Sequence, residues 1–317
     1  MHSLQDALTL LLIALITTGC DTSFRQNFPD TDVVYQANDI DKPAIGFINA
    51  DGTGNQILSI STYAADPVWS EDGKTILFRM ARADFMSFGN WGAPIYIWKG
   101  GKGIRSCNIL DAGPAYQLPD TDEVVVHLLT SIQIIDIKTC NTVQTLADYR
   151  EPGQNTKDGI GLSISWDGRY ILFSEAKEPP WGSKLLSDYT MKIMDLSTGA
   201  VEELGQGINP FMSPDGNWIA YTWLDGVYLI KRDGTEKQKL IDFFNAKERS
   251  NGLQRFEKIP PKPRWSPDGK WLIYHKCGPA YPKPACDQLD DYSIFRLNLA
   301  DGNEEKVIDQ GLNPYWR

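Results

Sequence analysis

The chain has 317 residues, 41 acidic against 31 basic side chains and 3 histidines, giving a net charge of −10 with 42% hydrophobic residues. That acidic balance argues against nucleic-acid binding, which needs clustered Lys and Arg against phosphate. The length allows a large buried core but is short for two ordinary domains, and no apolar run is long enough to cross a bilayer.

The first element is the apolar stretch from Ala7 to Gly19, directly before Cys20. At about 13 residues it falls short of the roughly 20 that a spanning helix needs and suits the h-region of a signal peptide. Ile16-Thr17-Thr18-Gly19-Cys20 resembles a bacterial lipobox, although Thr17 stands where Leu is usual. The resemblance implies cleavage before Cys20, diacylation of that cysteine and a membrane anchor; an ordinary signal peptide is the alternative. Asp21 then implies, by the sorting rule of enteric bacteria, a periplasm-facing inner-membrane lipoprotein in the cell envelope. Residues 21 to 30 read as a short tether, with the folded domain expected from residue 32.

Cysteine usage fits an oxidising compartment. Setting Cys20 aside leaves Cys107, Cys140, Cys277 and Cys286, an even set with three pairings. Cys277 and Cys286 flank a Pro-rich loop and are the more local pair, which would leave Cys107 with Cys140. None lies in CxxC or beside a histidine, so no metal site and no cofactor are expected.

From residue 67 onward one theme recurs: Pro67-Val-Trp-Ser-Glu-Asp-Gly, Leu162-Ser-Ile-Ser-Trp-Asp-Gly, Pro210-Phe-Met-Ser-Pro-Asp-Gly and Pro263-Arg-Trp-Ser-Pro-Asp-Gly, each followed by an apolar, aromatic strand. Pro114-Ala-Tyr-Gln and Pro314-Tyr-Trp-Arg begin two partial copies. The Trp position falls at 69, 116, 164, 212, 265 and 316, at intervals of roughly 50 residues. Asp and Ser can bond nearby backbone N–H groups, Gly accepts positive φ, and the chain reverses into a hairpin. Third and fourth strands follow around turns such as Asp195-Leu-Ser-Thr-Gly and Asp301-Gly. Four strands per unit is the period of a β-propeller blade. The repeated Ser-x-Asp-Gly with its aromatic strand resembles the WD40-like PD40 repeats of the TolB family, also found in prolyl oligopeptidase propellers. The resemblance spans nearly the whole mature chain and implies an all-β propeller fold. The N-terminal segment supplies strands two to four of a blade and residues 312 to 317 supply its first, so six blades are expected with one split between the termini.

All Asp-Gly turns are short and belong to one face. The long connections fall on the other: 81–94, 149–158, 176–188, 243–261 and 277–290. They carry Phe85, Trp91, Trp181, Arg249, Arg255, Tyr281 and Lys283, residue types that dominate interfaces, and mark an expected partner-binding face. Between 243 and 263, Lys247, Arg249, Arg255, Lys258 and Lys262 outnumber Glu248 and Glu257; they read as a solvated loop or a dock for an acidic partner. Trp69, Trp265 and Trp316 read as packing between blades. No G-x-S-x-G elbow is present, and His127 and His275 lie on apolar second strands, so no catalytic residue is assigned. The sequence therefore reads as a lipid-anchored, non-enzymatic scaffold for an envelope protein. The alternative is a carbohydrate-active or small-ligand-binding propeller with carboxylates in its funnel.

Overall fold

A computed structural model describes residues 28–39, 42–58, 63–70, 72–81, 94–100, 104–107, 109, 112–128, 131–148, 159–176, 189–243, 260–277 and 291–317. These residues form strands and turns, and no helix among them is long and apolar enough to cross a membrane.

The strands assemble as six four-stranded antiparallel sheets. Blade 1 is β4 (Tyr63–Trp69), β5 (Thr75–Ala81), β6 (Ile95–Lys99) and β7 (Ile104–Cys107). Blade 2 is β8 (Ala112–Gln117), β9 (Glu123–Leu128), β10 (Ser131–Asp136) and β11 (Thr142–Asp148). Blade 3 is β12 (Gly159–Ile164), β13 (Tyr170–Ala176), β14 (Tyr189–Asp195) and β15 (Val201–Gln206). Blade 4 is β16 (Ile208–Met212), β17 (Trp218–Trp223), β18 (Gly226–Lys231) and β19 (Gln238–Asp242). Blade 5 is β20 (Arg264–Trp265), β21 (Trp271–Cys277), β22 (Tyr292–Asn298) and β23 (Glu304–Asp309). Blade 6 joins β24 (Gly311–Trp316) to β1 (Val33–Asp39), β2 (Lys42–Ile48) and β3 (Gln56–Leu58).

The repeated turn has one local mechanism. Ser70 Oγ donates to Asp72 Oδ1 at 2.7 Å and accepts the Thr75 N–H at 2.9 Å, while Gly73 takes φ 63°. Ser165, Ser213 and Ser266 make the same pair of bonds in blades 3, 4 and 5, with glycines 168, 216 and 269 at φ 70°, 72° and 69°. The side chains thereby replace backbone partners in a reversal that only glycine adopts without strain.

Hydrophobic clusters straddle every neighbouring pair of blades. One joins Val34, Ile45 and Phe47 of blade 6 to Trp69, Ile76 and Trp98 of blade 1; another joins Ile273 and Ile294 of blade 5 to Val33, Tyr35 and Ile48 of blade 6. The ring is thus closed by blade 6 on both sides, and a ring exposes none of the inter-blade faces that an open stack would. Trp69, Trp265 and Trp316 are buried between blades, and Trp265 Nε1 donates to Phe211 O of blade 4 at 3.1 Å. Within the segment read as tether, Phe28 already packs edge-on against Trp98 and Trp69, at 4.6 and 5.0 Å between ring centroids.

One register differs from the sequence alignment. Gln117 pairs with Val124 as Trp69 pairs with Ile76, and Tyr116 pairs with Val125 as Val68 pairs with Leu77. The Trp position of blade 2 is therefore Gln117. Matching Pro114-Ala-Tyr to Pro67-Val-Trp missed an extra residue between the β-bulge and the turn, and a one-residue slip turns a strand side chain to the opposite face.

A disulfide joins Cys107 at the end of β7 to Cys140 in the β10–β11 turn, with Cα atoms 5.4 Å apart, stapling blade 1 to blade 2. Cys277 is also disulfide-bonded, and Cys286 lies outside the described residues.

Candidate functional site

The chain enters each innermost strand from the preceding blade, so the first residues of these strands form one mouth of the central channel. The long connections 82–94, 149–158, 177–188, 243–263 and 278–291 leave the described strands at that same end. A cavity there is lined by Asp66, Pro67, Val68, Pro114, Tyr116, Lys262, Arg264, Asn313, Pro314 and Tyr315, drawn from blades 1, 2, 5 and 6.

Two features of the innermost strands aim these side chains. The first is a β-bulge near the start of the strand, seen as a register break between Ala65 and Val68, Ile160 and Ser163, and Ile208 and Phe211. Asp66, Asn209 and Asn313 take φ 50°, 54° and 47° at the bulge position, and Gly161 takes 70°. Asn, Asp and Gly are the residues that tolerate this conformation, and a bulge re-aims the side chain it carries. The second is the position before the Trp position, held by Val68, Tyr116, Phe211, Arg264 and Tyr315. The Tyr315 ring lies 6.1 Å from Tyr116 and 6.0 Å from Phe211, so these side chains meet across the axis.

At the centre of the cluster, Asp66 is 5% exposed and ion-paired to Lys262 at 2.5 Å and to Arg79. Burial alone would raise the Asp66 carboxyl, but Lys262 and Arg79 outweigh it and hold the group well below the ordinary carboxylate range. Burial also lowers the Lys262 ammonium, against the pull of Asp66, and raises the Tyr116 phenol. Arg264, 4% exposed, crosses the ring from blade 5 to donate to Tyr116 Oη of blade 2 at 2.7 Å. Its guanidinium carbon sits 4.6 Å from the Phe211 ring centroid, 5.6 Å from Tyr315 and 5.8 Å from Tyr116. A buried ion costs several kcal/mol; each aromatic face returns about 0.5–2 kcal/mol and the hydroxyl about 1.5–3 kcal/mol.

Asp66 is the one carboxylate lining this cavity among the described residues, and it is held ionised. Glu175, near the end of β13, is buried and paired with Lys192. His127 and His275 are buried on β9 and β21, and His275 Nδ1 accepts the Asn313 N–H at 3.2 Å. No group of three His, Cys, Asp or Glu able to hold a metal occurs among the described residues.

Phe85, Trp91, Trp181, Arg249, Arg255, Tyr281 and Lys283 lie outside the described residues, as does Cys20. Lys262 differs from its reading as a loop charge: it turns into the channel toward Asp66, 196 positions away in sequence. Sequence reasoning passed over Asp66, Arg79 and Arg264 and read Tyr116 only as a Trp-position residue. The available signal was Arg264 itself, a charge in a repeat position that holds Val68 in blade 1 and Phe211 in blade 4.

The described residues define a six-bladed β-propeller whose channel is crossed by cations and aromatic rings. Solved TolB structures share this fold. The TolB of Acinetobacter baumannii superposes with a TM-score of 0.65 at 14% identity, covering 96% of this chain and 69% of that one. A protein of Agrobacterium tumefaciens described as TolB gives 0.58 at 16% identity, covering 90% and 92%. A structure of an oligogalacturonate lyase in complex with manganese gives 0.50 at 15% identity, covering 89% and 73%. The family described as the dipeptidyl peptidase IV N-terminal region matches residues 165–278. No curated protein matches the sequence at significance.

Proposed function

We propose that the protein is a lipid-anchored, non-enzymatic propeller of the cell envelope that binds a protein partner on the face carrying its long connections. The observation that carries this reading is the channel mouth on that face, where Lys262, Arg264, Tyr116 and Tyr315 converge around a carboxylate held ionised. Arg and Tyr gathered in a concave site are the side chains that dominate binding energetics. Cys20 supplies the anchor, and residues 21–27 span from it to the point where Phe28 docks on blade 1.

Proximity labelling from the intact protein, compared with a variant whose residues 244–259 are replaced by a short Gly-Ser linker, tests the reading. A partner labelled by the first and lost from the second is expected. Labelling that is identical for both, or turnover of a glycan by the purified protein, refutes it. For the anchor, Cys20→Ala should release the protein from membranes on a salt wash; retention refutes lipidation.

A further inference from the structure

We propose that the cavity at the channel mouth is a subsite for a single carboxylate group, anchored by Arg264 and Lys262. The inference is independent of the protein-binding reading, since a free carboxylic acid alone would satisfy it.

Charge is the first argument. The side chains that meet here are Arg79, Lys262 and Arg264 against Asp66, an excess of two positive charges inside a protein whose net charge is −10. Asp66 is committed, with one oxygen on Lys262 and the other on Arg79. Arg264 has no carboxylate partner among the described residues: its hydrogen bonds go to the Tyr116 hydroxyl and, at 3.4 Å, to the Pro263 carbonyl. Arginine remains charged at any working pH, so it cannot escape by losing a proton, as a buried lysine can. A buried cation without a counter-ion is the arrangement in which an incoming anion gains most.

Shape is the second argument. Arg264 lines the cavity together with Lys262, whose side chain retains 21% of its exposure, so the site has a charged route inward. Pro67, Pro114 and Pro314 form rigid walls and the Tyr116 and Tyr315 rings meet across it. A guanidinium matches the two oxygens of a carboxylate. Rings stacked on Arg264 also hold it in place before a ligand arrives, so little side-chain freedom is lost on binding.

A carboxylate can come from a free small acid or from an acidic peptide segment, and two probes separate these sources. Calorimetric titration at low ionic strength uses succinate and a hexa-glutamate peptide, with inorganic phosphate as the tetrahedral control. Binding of at least one carboxylate probe to the wild type is expected. Arg264→Met should weaken it at least about tenfold, the loss of one charged hydrogen bond, and Arg264→Lys should fall between, because charge is kept and the fork is lost. Should Arg264→Met fail to fold by circular dichroism, the Arg264→Lys titration carries the test. Binding of succinate alone assigns the site to small acids, and binding of the peptide alone assigns it to an acidic segment of a partner; either supports the proposal. It is overturned if neither probe binds the wild type at ~50 mM, if folded Arg264 variants bind unchanged, or if phosphate binds more tightly than both.

Discussion

Replacing Asp66 by Asn isolates the electrostatic centre of the propeller. The carboxylate is 5% exposed and is ion-paired with two cations, Lys262 and Arg79, that converge on it from blades 5 and 1. Asn keeps the volume and the left-handed backbone, so packing and the φ of 50° are conserved while the charge is lost. Removing one partner of a buried pair costs about 3–5 kcal/mol, because the remaining charges are stranded. At roughly 2–4 °C per kcal/mol for large domains, Asp66→Asn should lower the melting temperature by about 10 °C. The dependence on pH has a definite sign. The folded carboxyl lies below its ordinary value of 3.8, so its contribution is complete above that value and is lost as the pH falls below it. The gap between wild type and Asp66→Asn should therefore be constant from neutral pH down to about 5 and should narrow below about 4. Adding Lys262→Met to Asp66→Asn removes one stranded cation, so the double variant should be more stable than the sum of single losses by about 2 kcal/mol in a mutant cycle. Urea melts at several pH values measure all of these quantities. A single-variant loss under about 0.5 kcal/mol, or strict additivity with Lys262→Met, refutes the buried-pair account.

Other outcomes follow from the same geometry. Deleting residues 311–317 removes the ladder to β1 and exposes buried partners of Leu312 and Trp316, a loss of about 5–8 kcal/mol that approaches the whole stability of a typical domain; an unchanged melting temperature contradicts the six-blade closure. Gly161→Ala places a methyl group 2.5 Å from Asn209 N at φ +70° and should cost about 2–4 kcal/mol in a urea melt. Gly199→Ala, at φ +72° with nothing nearby, isolates the conformational part and should cost only about 1 kcal/mol. Cys140→Ala opens a cross-link spanning 33 positions, a chain-entropy loss of about 3–4 kcal/mol; with a reducing agent present, which also opens the bond at Cys277, wild type and variant should melt together, and a variant as stable as the unreduced wild type refutes the staple.

The blade pattern was legible because its cause is local. Ser70 with Asp72 and Gly73 builds a reversal from neighbours within five residues, and the copies at 165, 213 and 266 repeat both the sequence and the bonds. The composite sixth blade was legible for a related reason: residues 33–58 supply three strands without a first, and β24 supplies a first strand that pairs with β1. The channel cluster was not, since its members come from residues 66, 79, 116, 262, 264 and 315 and are neighbours only once the ring has closed. Tyr116 shows the difficulty in one residue. A single extra position before the turn moved it from the inter-blade layer to the axis, where it meets Arg264. Periodicity reports which residues lie on strands, but not a one-residue slip between a bulge and a turn.

The pairing of β24 with β1 also sets a kinetic order. Within blades 1 to 5 every ladder joins strands a few tens of residues apart, so each sheet can form from local encounters, whereas Val33 meets Trp316 across about 280 positions. Loop-closure entropy grows only slowly with that distance, but it must be met before the contact returns anything. Folding therefore divides into a phase of local blade formation and one long-range docking step. Until docking is complete, Val33, Val34 and Tyr35 present an open strand edge to any other chain nearby. The interval before ring closure is consequently the stage at which this propeller is most exposed to misassembly, and the rate of that one step determines how long the hazard lasts.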